Sequence, residues 1–146
     1  MATIKLGRDC KLYIGTAGTQ AATLVGNVRD VTLNMTRAPV DASARESNDW
    51  EEVVVGMKAT SVSFQMRTKV TADTNMTTLE TAYIDGTPVA ALVLDGLKTA
   101  PGARGLDADV VVTAFNRGQP LNGWVTADIT IQPTPSTRAP AWFIAT

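Results

Sequence analysis

The run WVTADITIQ, residues 124–132, alternates so strictly that it dictates an extended chain. Val125, Ala127, Ile129 and Ile131 share one side, while Thr126, Asp128, Thr130 and Gln132 share the other. Side chains of a strand point to opposite faces with a period of two, so this run buries one face and wets the other. Residues 31–36 repeat the pattern with Val31, Leu33 and Met35, and residues 61–67 repeat it with Val62, Phe64 and Met66. All three predict antiparallel strands with one solvated face. Two runs differ. Residues 89–94, VAALVL, are continuously apolar and residues 110–112 are Val-Val-Val; strands covered on both faces read this way. The pairs Gly26-Asn27, Asp85-Gly86, Asp95-Gly96 and Asn122-Gly123 form turns and mark the strand ends.

One segment carries the helical period instead. Met76, Leu79 and Tyr83 fall at i, i+3 and i+7, on one stripe of a helix predicted over about residues 72–85. Thr71 or Asp73 supplies an N-cap, and Gly86 followed by Pro88 stops the helix. Its many threonines lose side-chain freedom in a helix, so it requires packing against a sheet. Two stretches follow neither period. Residues 37–56, RAPVDASARESNDWEEVVVG, are expected to form a long polar loop around a lone Trp50. Residues 134–146 are expected to form a Pro-rich C-terminal arm ending in the apolar group Trp142, Phe143 and Ile144. Rings at the end of such an arm stay wet unless something covers them.

With 146 residues, the chain suits a single β domain over residues 1–133 with that arm appended. Aromatic residues are only 5% of the chain, so its core is aliphatic and modest, of the kind that oligomerisation helps. Thirteen Lys and Arg against fourteen Asp and Glu give a net charge of −1, which argues against gripping a phosphate backbone. No run of eighteen apolar residues predicts a membrane-spanning helix. The first residues lack a continuous apolar segment of the kind a signal peptide carries, and a soluble protein is expected.

Reactive chemistry is scarce. The chain has no histidine, which removes the commonest general base and the most frequent transition-metal ligand. Cys10 is the single cysteine and has no histidine to activate it. The pairs Glu51-Glu52 and Asp107/Asp109 are the acid groupings to weigh for a catalytic or hard-cation site, and solvated strand faces explain them better. GTAGT and PGARG lack the ending of a phosphate-binding loop. The sequence therefore points to no enzyme, no cofactor and no metal.

The order of these elements carries a resemblance. An aliphatic strand with Val111, Thr113, Phe115 and Arg117, then Gln119-Pro120-Leu121, then a strand closing on Pro133, resembles the C-terminal half of phage tail tube proteins. Ser43-Ala44-Arg45, Trp50, Gly56-Met57-Lys58 and the strand over 61–66 resemble the long loop and following strand of the same family. The helix and the segment from Gly86-Thr87-Pro88-Val89 to Leu94-Asp95-Gly96 keep the family's order, so the likeness spans about residues 12–133. It implies a mainly β fold: an antiparallel sandwich or barrel-like core with one flanking helix. It implies a virion protein that self-assembles into stacked rings, usually homohexamers, forming a conduit for DNA ejection. The implied partners are further copies of the chain and other tail proteins such as the tape measure, terminator and baseplate or sheath. DNA passes through without specific binding, and assembly takes place in a bacterial host's cytoplasm.

On that reading the solvated strand faces line the lumen, with Thr126, Asp128 and Thr130, and Asn34 and Gln65 beside them, as candidates. An aromatic in a polar segment is the usual composition of an interface anchor, so Trp50 with Arg45, Asp49 and Glu51, and the tail pair Trp142 and Phe143, are the expected subunit contacts. For Trp50 the competing expectation is that the ring folds back onto its own core. The tube of a phage-derived injection or secretion system shares all these features. A monomeric β-sandwich binding module, for carbohydrate for instance, would instead cluster its aromatics, whereas Trp50, Trp124 and Trp142 are dispersed.

Overall fold

Alternation becomes pairing in the computed structural model of the chain, which describes residues 4–47, 49–134 and 138–146. In chain order the elements are β1 (Lys11–Thr16), β2 (Thr23–Leu24), β3 (Val28–Asp41), β4 (Val53–Arg67), α1 (Thr74–Asp85), β5 (Val89–Leu94), β6 (Arg104–Gly118), β7 (Thr126–Pro133) and β8 (Ala141–Ile144). They form one antiparallel sheet in the order β2-β1-β5-β6-β7-β4-β3, with β8 added to β6. The two end strands do not pair, so the sheet is not closed into a barrel.

The apolar phase of each strand decides which face packs. Val62, Phe64 and Met66 of β4, Ala127, Ile129 and Ile131 of β7, and Val110 and Val112 of β6 join Leu12 and Ile14 of β1 in one core, closed by Met76, Leu79 and Ala82 of α1. Strands from both ends of the order share this cluster, so the sheet curls around it. All six residues of β5 are buried, as its unbroken apolar run predicts. Its second face is covered as well, by a smaller cluster of Tyr13, Ala21, Ala90, Leu92 and Leu94, with Phe143 packed against it.

Helix α1 begins at an Asp73 cap whose carboxylate accepts from the amides of Asn75 and Met76. It ends at Gly86 in the left-handed region, φ 69°, where a glycine carries no Cβ penalty. Tyr83, expected on the buried stripe, is half exposed; Ala82 takes the buried place, and the Tyr83 ring lies 6.4 Å from that of Phe115.

Strand pairing runs further than the sequence pattern indicates. β3 and β4 stay paired out to Pro39↔Val55, Val40↔Val54 and Asp41↔Val53, so only residues 42–52 connect them. β7 pairs with β4 only from Val62 to Arg67, so the far half of the β3–β4 hairpin projects beyond the sheet as an arm. A shift in register between Arg37 and Pro39 sets Gly56 beside Ala38, and a Cβ at Gly56 would come within 2.5 Å of the Ala38 carbonyl oxygen. A second shift, between Arg29 and Thr32, holds Asp30 at φ 56°. Bulges of this kind bend a strand and sharpen its twist.

Candidate functional site

The polar sides of four strands merge into one surface. Residues directly opposite in an antiparallel pair point to the same face, and the register therefore defines rows. Arg29, Gln65, Asp128 and Asn116 form one row across β3, β4, β7 and β6. Thr32, Ser63, Thr130 and Ala114 form the next. Arg67, Thr126 and Gly118 lie at one end, and Asn34 pairs with Ser61 toward the other. The predicted channel residues Thr126, Asp128, Thr130, Asn34 and Gln65 thus share one face of the sheet.

Small hydroxyl and amide side chains dominate this face, and they bond among themselves. The Gln65 amide donates to the Asp128 carboxylate at 3.1 Å, and the Thr113 hydroxyl donates to the Thr130 carbonyl at 3.2 Å. Arg67 stacks 5.3 Å above the Trp124 ring at the end of the face. Beneath it, the opposite sides of the same strands pack into the core.

Both lateral edges of this four-stranded half are open. Among the described residues no strand pairs with the outer edge of β3, and β5 accompanies β6 only as far as Val110. An unpaired edge is a row of unmet backbone donors and acceptors.

The expected contact residues lie on the hairpin arm and on β8 near its base, where Trp142 lines one groove with Met35, Thr36, Lys58 and Ala59. Trp50 is 79% exposed at the tip of the hairpin arm and does not fold back onto its own core. Arg45 lies in a short turn of 3-10 helix (Arg45–Ser47), Asp49 has a positive φ of 66°, and Glu51 is exposed. Met35, Val40, Val53, Val54, Val55 and Met57 along the arm are also more than half exposed. Phe143 is partly buried on the second core cluster, whereas its neighbour Trp142 is 49% exposed.

The paired acids behave differently from one another. Glu51 and Glu52 are exposed at the arm. Asp107 and Asp109 are 8% and 0% exposed on the outer face of β6. Asp109 accepts from the Gly18 amide at 3.0 Å and from Arg138 Nε at 3.0 Å. Asp107 accepts from Gln20 Nε2 at 3.0 Å and from Arg138 Nη1 at 2.8 Å. The two carboxylates raise the pKa of the Arg138 guanidinium, against the opposing pull of its own desolvation. They clamp three remote segments together. Arg138, Gly18 and Gln20 carry no local signal of this role in the sequence, because their partners lie 29 to 91 residues away. Among the described residues no group of His, Cys, Asp and Glu has the arrangement to hold a metal ion, and no helix is long and apolar enough to cross a membrane.

A polar sheet face flanked by open strand edges and a projecting arm is the architecture of a mainly β protein with surfaces to offer to other chains. Residues 5–134 match the family described as phage tail tube protein, and the chain belongs to that family. It is a structural subunit of a phage or phage-like tail. Solved structures agree on the fold. The tail of an empty gene transfer agent particle, refined with C6 symmetry, superposes at a TM-score of 0.76, with 17% identity and coverage of 98% of this chain and 100% of that one. The SPP1 tail tube gives 0.66 with 18% identity, covering 87% and 74%. The sixfold-symmetrised baseplate of an anti-feeding prophage gives 0.62 with 7% identity, covering 99% of each chain. No curated protein sequence matches the chain.

Proposed function

We propose that this chain closes into six-membered rings that stack into a tube, with the Thr126, Asp128 and Thr130 face lining the lumen and DNA passing along it. The observation that carries the reading is that face: polar, backed by the core, mostly uncharged and open at both edges, in a chain of the tail tube family. Hydroxyl and amide groups outnumber the two cations of the face, Arg29, which lies 3.5 Å from Asp30, and Arg67, which stacks on Trp124, so DNA meets no array of cations, and the Asp128 carboxylate repels phosphate. The four strands alternate in direction, so placing a second copy alongside sets its β6 antiparallel to the first copy's β3. That seam hides both open edges. Sixfold order is supported by the C6 symmetry of the gene transfer agent tail, whose subunit shares this fold.

The arm, with Arg45, Asp49, Trp50 and Glu51, reaches a neighbouring subunit or ring, and Trp142 and Phe143 contribute a second contact. Support comes from Trp50's exposure and from the apolar side chains along the arm, which are more than half exposed in the single chain. Tape measure, terminator, and baseplate or sheath proteins are its partners at the tube's inside and ends. The likeness to the anti-feeding prophage baseplate favours, as a second reading, the tube of a phage-derived injection machine. Microscopy of the purified protein tests the proposal. Rings or hollow tubes are expected; a uniform monomer at every concentration, with or without a tail initiator, refutes it. Trp50→Ala is expected to shorten tubes or slow their growth, and unchanged length and rate would remove Trp50 from the contact.

A further inference from the structure

The connection between β6 and β7, residues 119–125, carries a reactive pair that the proposed function does not use. Asn122 and Gly123 are exposed there, as is every residue from Asn116 to Val125. The ladder ends at Gly118↔Thr126, so the Gly123 amide lies outside every strand pair. Among the described residues the Asn122 side chain has no hydrogen-bond partner. The fold favours glycine at position 123, because a Cβ there would come within 2.9 Å of Pro120 Cγ. With no Cβ, a glycine leaves its nitrogen unscreened and its backbone free to turn. The other described asparagines are placed differently. Asn34 and Asn116 sit in β3 and β6 and precede Met35 and Arg117. Asn75 lies in the first turn of α1. Asn27 precedes Val28, and its Nδ2 donates to the Arg67 carbonyl at 2.6 Å and to Asp73 at 2.9 Å.

The geometry points to Asn122 as a site of spontaneous covalent modification, where the chain deamidates through a cyclic imide. Gly123 N gives its proton to solvent and attacks Asn122 Cγ. A bond forms between Gly123 N and Cγ, the bond from Cγ to Nδ2 breaks, and Nδ2 takes up protons and leaves as ammonia. Water then opens the imide. Attack at Cγ gives aspartate, whereas attack at the backbone carbonyl leaves Gly123 joined through Cγ, as isoaspartate. Nothing is oxidised or reduced, and water is the only co-reactant. Either product adds one carboxylate, which takes the formal charge of the chain from −1 to −2. Isoaspartate also inserts a methylene into the backbone between β6 and β7. The charge appears two residues before Trp124, over which Arg67 stacks at the end of the polar face. That end of the face therefore grows more acidic as the molecule ages. The site is a property of the single chain and needs no tube to act.

Peptide mapping by mass, on the purified unassembled chain held in warm and mildly alkaline buffer, tests the site. Trypsin cuts after Arg117 and so places Asn116 and Asn122 on separate peptides. The peptide holding Asn122 is expected to gain about 1 Da. The gain should be at least about tenfold faster than at Asn34 or Asn116, where a strand must open first and the next side chain screens its nitrogen. Aspartate and isoaspartate should both form, after a transient species lighter by the mass of ammonia. Asn122→Gln lengthens the side chain by a methylene and disfavours ring closure. The gain at this position should then vanish, while the circular dichroism stays that of the parent. A gain no faster than at the strand asparagines, or one that yields aspartate alone, overturns the proposal. So does an equal rate of gain in the Asn122→Gln chain.

Discussion

Replacing Asp109 by alanine tests the buried clasp most directly. The carboxylate is fully buried and accepts from the Gly18 amide and from Arg138 Nε. Hydrogen bonds to charged groups contribute about 1.5–3 kcal/mol each, and breaking a buried ion pair typically costs about 3–5 kcal/mol. Arg138 moderates this loss, because its side chain is 21% exposed and keeps its 2.8 Å bond to Asp107. A cost near 3 kcal/mol follows, from the Gly18 amide left without its acceptor and the weakened guanidinium. At roughly 2–4 °C per kcal/mol for a domain of this size, the melting temperature falls by about 6–12 °C. The assay is urea unfolding of the unassembled chain followed by tryptophan fluorescence, on Asp109→Ala, Arg138→Ala and the double variant. Because the two residues share one bond network, the single losses should exceed additivity by about 1 kcal/mol or more. A single-variant loss below about 1 kcal/mol, or strict additivity, would refute the clasp as a source of stability.

Removing the helix cap with Asp73→Ala leaves the Asn75 and Met76 amides without their side-chain acceptor and leaves Asn27 Nδ2, 2.9 Å from the carboxylate, with the Arg67 carbonyl as its remaining acceptor. Thermal unfolding should show a loss of about 1–2 kcal/mol. Asp95 lies 2.8 Å from Lys5 Nζ, and the Lys5 bond, with the Arg104 amide beside it, holds the carboxyl below its ordinary value of 3.8. A depressed folded-state pKa contributes stability that is present above pH 3.8 and lost as pH falls through the lower folded value. Asp95→Asn should therefore be less stable than the parent at pH 5, and the gap should narrow as the pH falls below 3.8. Asp128→Lys with Thr130→Lys should still form tubes of normal length but lower DNA delivery by on the order of tenfold, through adhesion to phosphate; unimpaired delivery would remove this face from the lumen.

What could be read before the fold was known was whatever depends on one face of a local segment. β7 and the second half of β4 declared themselves because burial of one side imposes alternation, and β5 because burial of both sides removes it. The helix showed its cap and its stop in the identities of Asp73 and Gly86. The outer hairpin stayed hidden for the same physical reason. Val53, Val54 and Val55 are exposed on both faces in this chain, so nothing enforces a period there and the segment resembles a loop.

Local apolar periodicity thus marked β5, β7, the inner half of β4 and the helix, and the scarcity of reactive side chains was plain from composition. Tertiary structure alone decided which strands lie side by side, and so which polar sides merge into one surface. It alone turned Asp107 and Asp109 from a solvated acid pair into a buried clasp, since the groups that answer them come from Gly18, Gln20 and Arg138. Register and remote charge pairing arise from free energies summed over the whole chain, and no short stretch of sequence carries them.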